Sequence, residues 1–211
     1  MCGRYTLTHP DEASLLGALP FDSFSETRIE LRPRYNVAPG QRNPIVWAGP
    51  QGPVLADAEW GFERSAGGLT INARSETAAE RALFRDAFRK GRCLVPADGF
   101  FEWRREGRVN QPYLFRRGQG ELFVMAGLRE DERYVVLTRD AEDEVAEIHE
   151  RMPVILSPKD ALRWLEQGEL GEPPELTRTK VSTHVNQINH DDPKCVAPPA
   201  QATFDWDTHP L

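Results

Sequence analysis

Between Cys93 and Thr138 the chain runs through a close succession of short apolar stretches, and these restrict its architecture more than any other feature. Cys93-Leu94-Val95-Pro96, Phe100 to Trp103, Tyr113-Leu114-Phe115, Leu122 to Ala126 and Tyr134 to Thr138 are β-branched or aromatic, and Gly- or charge-rich turns separate them. Runs of this length and composition read as strands. Helices are interspersed among them without a regular βαβ alternation. The expected fold class is therefore α+β, built on an antiparallel sheet.

The helical signals are fewer. An amphipathic segment lies near Asp11 to Leu19. The clearest helix is predicted over residues 78–90, where Thr77-Ala78-Ala79-Glu80 has capping-box spacing and Gly91 is placed to end it. Leu83, Phe84, Ala87 and Phe88 recur at helical spacing as its buried stripe. Arg81, Arg85 and Arg89 then form a basic ridge on another face. An acid-rich helix is expected over Glu142 to His149, and a further one from Ser157-Pro158-Lys159-Asp160 to near Gly168. The Pro-rich residues 32–40 read as a structured loop. The Pro- and Asp-rich tail from about residue 171 reads as a surface wrap. No repeat or linker divides the chain, so residues 1–211 are expected to form one domain.

Composition narrows the function. Of 211 residues, 39% are hydrophobic and 28% charged, as in an ordinary soluble protein. No apolar run approaches the roughly 20 residues that a membrane span needs, and Met1-Cys2-Gly3-Arg4-Tyr5-Thr6 has no hydrophobic signal core. Cys2, Cys93 and Cys195, odd in number and widely spaced, argue for a reducing cytoplasm over a disulfide framework. The net charge of −7 is unevenly spread: residues 72–117 hold ten Arg and one Lys against six acids, a balance of +5 that leaves −12 elsewhere. A local basic face can bind phosphates on an acidic protein. The same arginines also fit a merely solvated surface.

The residue with the most distinctive chemistry is Cys2. Its small side chain leads to the expectation that Met1 is trimmed, leaving a thiol and an α-amine on adjacent carbons. Such a 1,2-aminothiol condenses with aldehydes: the amine forms an imine and the sulfur closes a five-membered thiazolidine. The α-amine has a reference pKa of about 7.7–8.0 against roughly 10.4 for lysine, so far more of it is uncharged near neutrality. Glu102, in Gly99-Phe100-Phe101-Glu102-Trp103, is a carboxylate on an aromatic strand, where an apolar setting raises the pKa toward that of an acid–base catalyst; strand alternation also permits it to face outward. His149 is either structural or catalytic. His149-Glu150-Arg151-Met152-Pro153 lacks the second histidine of a zinc-protease motif, and His184 and His190 lack partnering cysteine spacing, so no metal is expected. Asn72 and Arg74 precede the predicted helix at residue 78, a natural phosphate site.

Taken together these segments resemble the SOS-response-associated peptidase (SRAP) family. The matching blocks are Cys2-Gly3-Arg4-Tyr5, Arg34-Tyr35-Asn36-Val37-Ala38-Pro39, Trp60-Gly61-Phe62, Ile71-Asn72-Ala73-Arg74-Ser75-Glu76-Thr77 and Arg92 through Trp103. Ala126-Gly127-Leu128, Ile148 through Val154 and Val185-Asn186 complete them, in order along nearly the whole chain. The resemblance implies the SRAP fold, an antiparallel barrel-like sheet with peripheral helices. It implies a thiazolidine crosslink to abasic sites in single-stranded DNA, with no cofactor. The family's nucleophile falls on Cys2, its acid–base carboxylate on Glu102, its histidine on His149 and its sugar-contacting amide on Asn72. Arg4 and Arg74 match phosphate-contacting positions; Arg81, Arg85 and Trp60 are further candidates for DNA contact. The chain departs from the family after Phe62, where Glu63-Arg64-Ser65 stand in place of the usual Pro and second Trp. A monomer is expected. Two rival readings are an autoprocessing thiol peptidase that uses Cys2 as nucleophile, and a non-covalent reader of modified bases, which would not need Cys2.

Overall fold

The computed structural model describes residues 2–200. All five predicted strands form, each longer than its apolar nucleus: Arg92–Ala97, Gly99–Glu106, Val109–Arg116, Phe123–Glu130 and Arg133–Asp140. They divide between two sheets. A five-stranded sheet has the order Thr177–Lys180, Val109–Arg116, Gly99–Glu106, Tyr5–Leu7, Arg34–Val37. A nine-stranded sheet follows the path Arg151–Pro153, Arg133–Asp140, Phe123–Glu130, Arg92–Ala97, Arg42–Gly49, Gly52–Trp60, Glu26–Thr27, with Asn72–Arg74 and Ile155–Leu156 paired alongside. Antiparallel pairing dominates, as the absence of βαβ units requires. The exceptions are short parallel contacts of Glu26–Thr27 with Gly52–Trp60, and of Arg133–Asp140 with Gly52–Trp60 and with Asn72–Arg74. One of these sets Arg133 against Glu59 and Tyr134 against Trp60. It brings the large sheet round on itself without a continuous closing ladder.

The strand period of two sorts side chains onto opposite faces. Cys93, Val95 and Ala97 enter a cluster shared by both sheets, while Leu94 between them faces the other way. Likewise Tyr134 and Val136 face the shared cluster, and Val135 and Leu137 the outer one. The small sheet contributes Tyr5, Phe100, Tyr113 and Phe115, with the Phe100 and Phe115 rings stacked at 5.2 Å. On the outer face of the large sheet, helices Glu12–Gly17 and Pro158–Gln167 pack through Leu15, Trp164 and Leu165. On the outer face of the small sheet, Phe101 and Leu114 are covered by Val181, Val185 and Cys195 from the tail. Among the described residues no helix is long and apolar enough to cross a membrane.

Several expectations need correction. The helix predicted over residues 78–90 forms only as Arg85–Lys90, with Phe84 at its cap and no capping side chain. Ahead of it, Thr77 O accepts from both Glu80 N and Arg81 N, and Arg81 O from Phe84 N and Arg85 N, so the chain proceeds by turns. Ala78 and Phe84 are buried there while Leu83 is exposed. A six-residue interval suits no helix face, and burying those two side chains overrides the capping-box propensity. The basic ridge is accordingly broken: Arg85 and Arg89 share the short helix, whereas Arg81 lies in the turns with its guanidinium 5.7 Å from the Phe84 ring centre. Arg34–Val37, expected in a loop, pairs with Tyr5–Leu7 as an edge strand, the place where neighbouring prolines are tolerated. The acid-rich helix shortens to Asp143–Ala146. The tail adds its own edge strand, Thr177–Lys180, before two 3₁₀ turns, Thr183–Asn186 and Pro193–Cys195.

Candidate active site

The site is built around the way the N-terminal strand is held. Phe101 N donates to Arg4 O at 3.0 Å and Asp98 N to Thr6 O at 2.9 Å. The buried Asp98 carboxylate accepts from Thr6 Oγ1 at 2.5 Å, Thr8 N at 2.5 Å and Thr8 Oγ1 at 2.6 Å. Tyr5 is opposite Phe100 in this antiparallel pair, so the chain running back from Tyr5 to Cys2 passes alongside Glu102. Cys2 is fully buried in the cluster that both sheets share.

Alternation decides which way Glu102 points. Phe101 faces the tail cluster and Phe100 the shared one, so Glu102, two residues after Phe100, faces the same side as Cys2. It is 3% exposed. Burial pushes its carboxyl pKa up to about 7. The Cys2 thiol is raised well above the usual range, by burial first and by the Glu102 charge second. Ala73 lies in the outer cluster, so its neighbour Asn72 takes the inner face, where Asn72 Nδ2 donates to the Cys2 carbonyl at 2.9 Å. Asn72 Oδ1 is buried and accepts no hydrogen bond from the described residues.

His149 follows the helix Asp143–Ala146, with His149 N donating to Val145 O at 2.9 Å. Arg151 N donates to His149 Nδ1 at 2.9 Å. Arg151 O lies 3.2 Å from the same nitrogen, so Nδ1 accepts from Arg151 N in one tautomer, with the ring proton on Nε2, and donates to Arg151 O in the other. Burial holds the ring's pKa below the ordinary histidine value. Met1, whose removal the aminothiol requires, lies outside the described residues.

The remaining candidates separate. Trp60, expected to be available to DNA, is 0% exposed: it lies between Tyr5 and Tyr134 and donates from Nε1 to Ile71 O at 2.9 Å, so it is a core residue and cannot stack on a base. Arg4 is half-buried, donating to Asn36 Oδ1 and Val185 O, each at 2.9 Å, with its guanidinium 5.8 Å from the Trp103 ring centre. Arg74 is exposed next to Asn72, and Arg81 and Arg85 are exposed further on. Asp86 approaches both Arg85 and Arg89, at 3.9 and 3.6 Å, and offsets part of their charge.

Three organising residues escaped the sequence reading. Arg151, with a side chain 7% exposed, is bound by Glu76, Asp140 and Thr138 O, and so fixes the strand that begins two residues after His149. Asn36, fully buried, donates to Val185 O, Gln187 O and His190 O and ties the tail to the Arg4 side chain. Asp98 clamps the N-terminal strand. Each lies inside a block quoted above for the family resemblance, but a lone polar residue carries no local sign that it will be buried.

The profile of the SOS response associated peptidase (SRAP) family matches residues 1–189. The chain belongs to this family. It is 32% identical to the abasic site processing protein YedK of Escherichia coli over 184 residues, covering 82% of each chain. It is likewise 32% identical to the abasic site processing protein YoaM of Bacillus subtilis, over 78% of this chain and 79% of that one. In fold it is similar to a crystal structure of a Bordetella bronchiseptica protein, with a TM-score of 0.71 at 23% identity, covering 86% of this SRAP chain and all of the other.

Proposed function

We propose that this SRAP protein senses abasic sites in single-stranded DNA and shields them by a covalent thiazolidine crosslink through Cys2, formed once Met1 has been removed. Its relatives' names support the substrate. The observation that carries the chemistry is the convergence on Cys2 of the Asn72 amide, bonded to its carbonyl at 2.9 Å, and the buried Glu102 carboxyl, whose charge acts on its thiol. In the abasic sugar the bond from C1 to the ring oxygen breaks; the ring oxygen gains a proton and the C1 hydroxyl loses one, leaving an aldehyde. The terminal amine adds to C1, water departs, and an imine results. Cys2 sulfur then adds to the imine carbon while its proton passes to nitrogen. One water leaves in all and nothing is oxidised. Ring closure is intramolecular, where effective molarities reach about 10⁵–10⁸ M.

Glu102, with a pKa of about 7, takes and returns protons at both stages. His149 serves the ring oxygen from Nε2. Asn72 offers Oδ1 to a sugar hydroxyl, and Arg74 a phosphate contact. One chain supplies every group, which suits a monomer acting in the cytoplasm. The thiol-peptidase reading would be favoured by cleavage of any peptide beyond the loss of Met1.

The test is incubation with an abasic single-stranded oligonucleotide followed by a denaturing gel. The wild-type protein should give a stable retarded band and Cys2→Ala none. Cys2→Ser should give at most a labile imine that borohydride traps. A stable band from Cys2→Ala, or from protein that mass spectrometry shows still carries Met1, would overturn the proposal.

A further inference from the structure

The tail brings together three donor side chains for which the crosslinking chemistry has no use. His184 lies on the 3₁₀ turn Thr183–Asn186, Cys195 ends the turn Pro193–Cys195, and Asp192 caps that second turn. A ring nitrogen of His184, a carboxylate oxygen of Asp192 and the Cys195 sulfur all lie within 4.8 Å of one another. His184 Nε2 is 2.9 Å from Asp192 Oδ2. Cys195 is fully buried, and its sulfur is 3.5 Å from the His190 carbonyl to which it donates. The His190 ring stacks on His184 at 3.8 Å, with 16° between their planes.

We propose that His184, Asp192 and Cys195 bind a zinc-class divalent ion. An imidazole, a carboxylate and a thiolate are the donor types such ions select, whereas calcium and magnesium take oxygen ligands. Zinc bonds of about 2.0–2.3 Å place tetrahedral ligand atoms roughly 3.3–3.8 Å apart, so side-chain movements on the order of 1 Å close the site. On binding, the Cys195 thiol gives its proton to solvent, the proton held between His184 Nε2 and Asp192 passes to His184 Nδ1 or, from a charged ring, to solvent, so that both atoms bond the metal, and water takes the fourth position. The ion would clip together the segment whose Val185, Gln187 and His190 carbonyls hold Asn36, and through Val185 O and Asn36 the Arg4 side chain. The role is structural and lies on the opposite face of the small sheet from Glu102.

The test must separate this site from Cys2, whose aminothiol is itself a ligand for soft metals. The purified full chain would be loaded with zinc, dialysed against a weak chelator and assayed for metal, alongside Cys2→Ser, His184→Ala and Cys195→Ser. About one zinc should remain in the wild type and in Cys2→Ser, and affinity should fall by at least about tenfold in the other two. Cobalt should give a thiolate charge-transfer band that persists in Cys2→Ser. Should Cys195→Ser fail to fold, alkylation of the wild-type chain serves instead: zinc should protect Cys195, located by mass spectrometry. Metal lost with Cys2→Ser but kept in Cys195→Ser, or alkylation of Cys195 at the same rate with and without zinc, would overturn the proposal.

Discussion

Glu102→Gln isolates the buried carboxyl, because it keeps the shape of the side chain and removes its titration. In the folded protein burial shifts the carboxyl from 4.5 to about 7. That difference corresponds to about 3 kcal/mol of preference for the neutral form. The sign follows from linkage. With the folded pKa raised, the group's favourable contribution is complete below about pH 4.5, declines as pH rises, and is lost above about pH 7. The Gln variant has no such decline. Urea unfolding of both proteins between about pH 5 and pH 8 should therefore show the variant gaining up to about 3 kcal/mol on the wild type as pH rises. The same substitution should slow crosslinking by about 10²–10⁴-fold at neutral pH with little change in DNA affinity. The wild-type rate should titrate with a midpoint near 7, and the variant's rate should not share that midpoint. A stability difference that stays constant with pH, or wild-type crosslinking by Glu102→Gln, would refute the assignment of a buried, neutral-range carboxyl to this chemistry.

His149→Ala should slow crosslink formation and reversal together, by about 10²-fold or more, since a catalyst accelerates both directions of one step; time courses run to equilibrium should reach the wild-type yield late. A variant that binds DNA poorly but crosslinks at normal speed when saturated would mark His149 as a binding group instead. Asn72→Ala removes the bond to the Cys2 carbonyl, worth about 0.5–1.5 kcal/mol, and single-turnover rates should fall by roughly 2- to 12-fold. Arg74→Glu should weaken single-stranded DNA binding and flatten its dependence on salt; an unchanged salt slope in a filter-binding titration would place the phosphate path elsewhere.

The strands between residues 92 and 140 were legible in the sequence because their signals are local. Val95, Phe100, Phe115, Met125 and Val136 each have neighbours that give a half-buried strand its composition, and pairing partners only lengthened what those nuclei began. The helix Pro158–Gln167 was legible for the same reason: the Ser157 side chain accepts from Asp160 N, and Gly168 ends the helix at a φ of 77°, a left-handed conformation that costs glycine little. Where burial over a distance competes with local propensity, the local signal failed. The Thr77–Glu80 spacing lost to the packing of Ala78 and Phe84, and an aromatic expected to meet DNA was drawn between Tyr5 and Tyr134.

The sequence by itself determined the inventory of chemistry: an aminothiol at Cys2 after trimming, a carboxylate on an aromatic strand, a histidine before Met152-Pro153, and an order of blocks that matches one family. The meeting of Cys2 with Glu102 and Asn72 was decided by the tertiary structure alone. Cys2 and Glu102 become neighbours because Tyr5–Leu7 inserts between Gly99–Glu106 and Arg34–Val37, and Asn72 reaches Cys2 because its short strand pairs with Arg133–Asp140. The same holds for His184, Asp192 and Cys195, whose spacing along the chain carries no metal-site pattern. Periodicity is a property of adjacent residues and survives in any reading of the chain. Which faces come together depends on sheets that pair and curl across a hundred residues, and no local window contains that information.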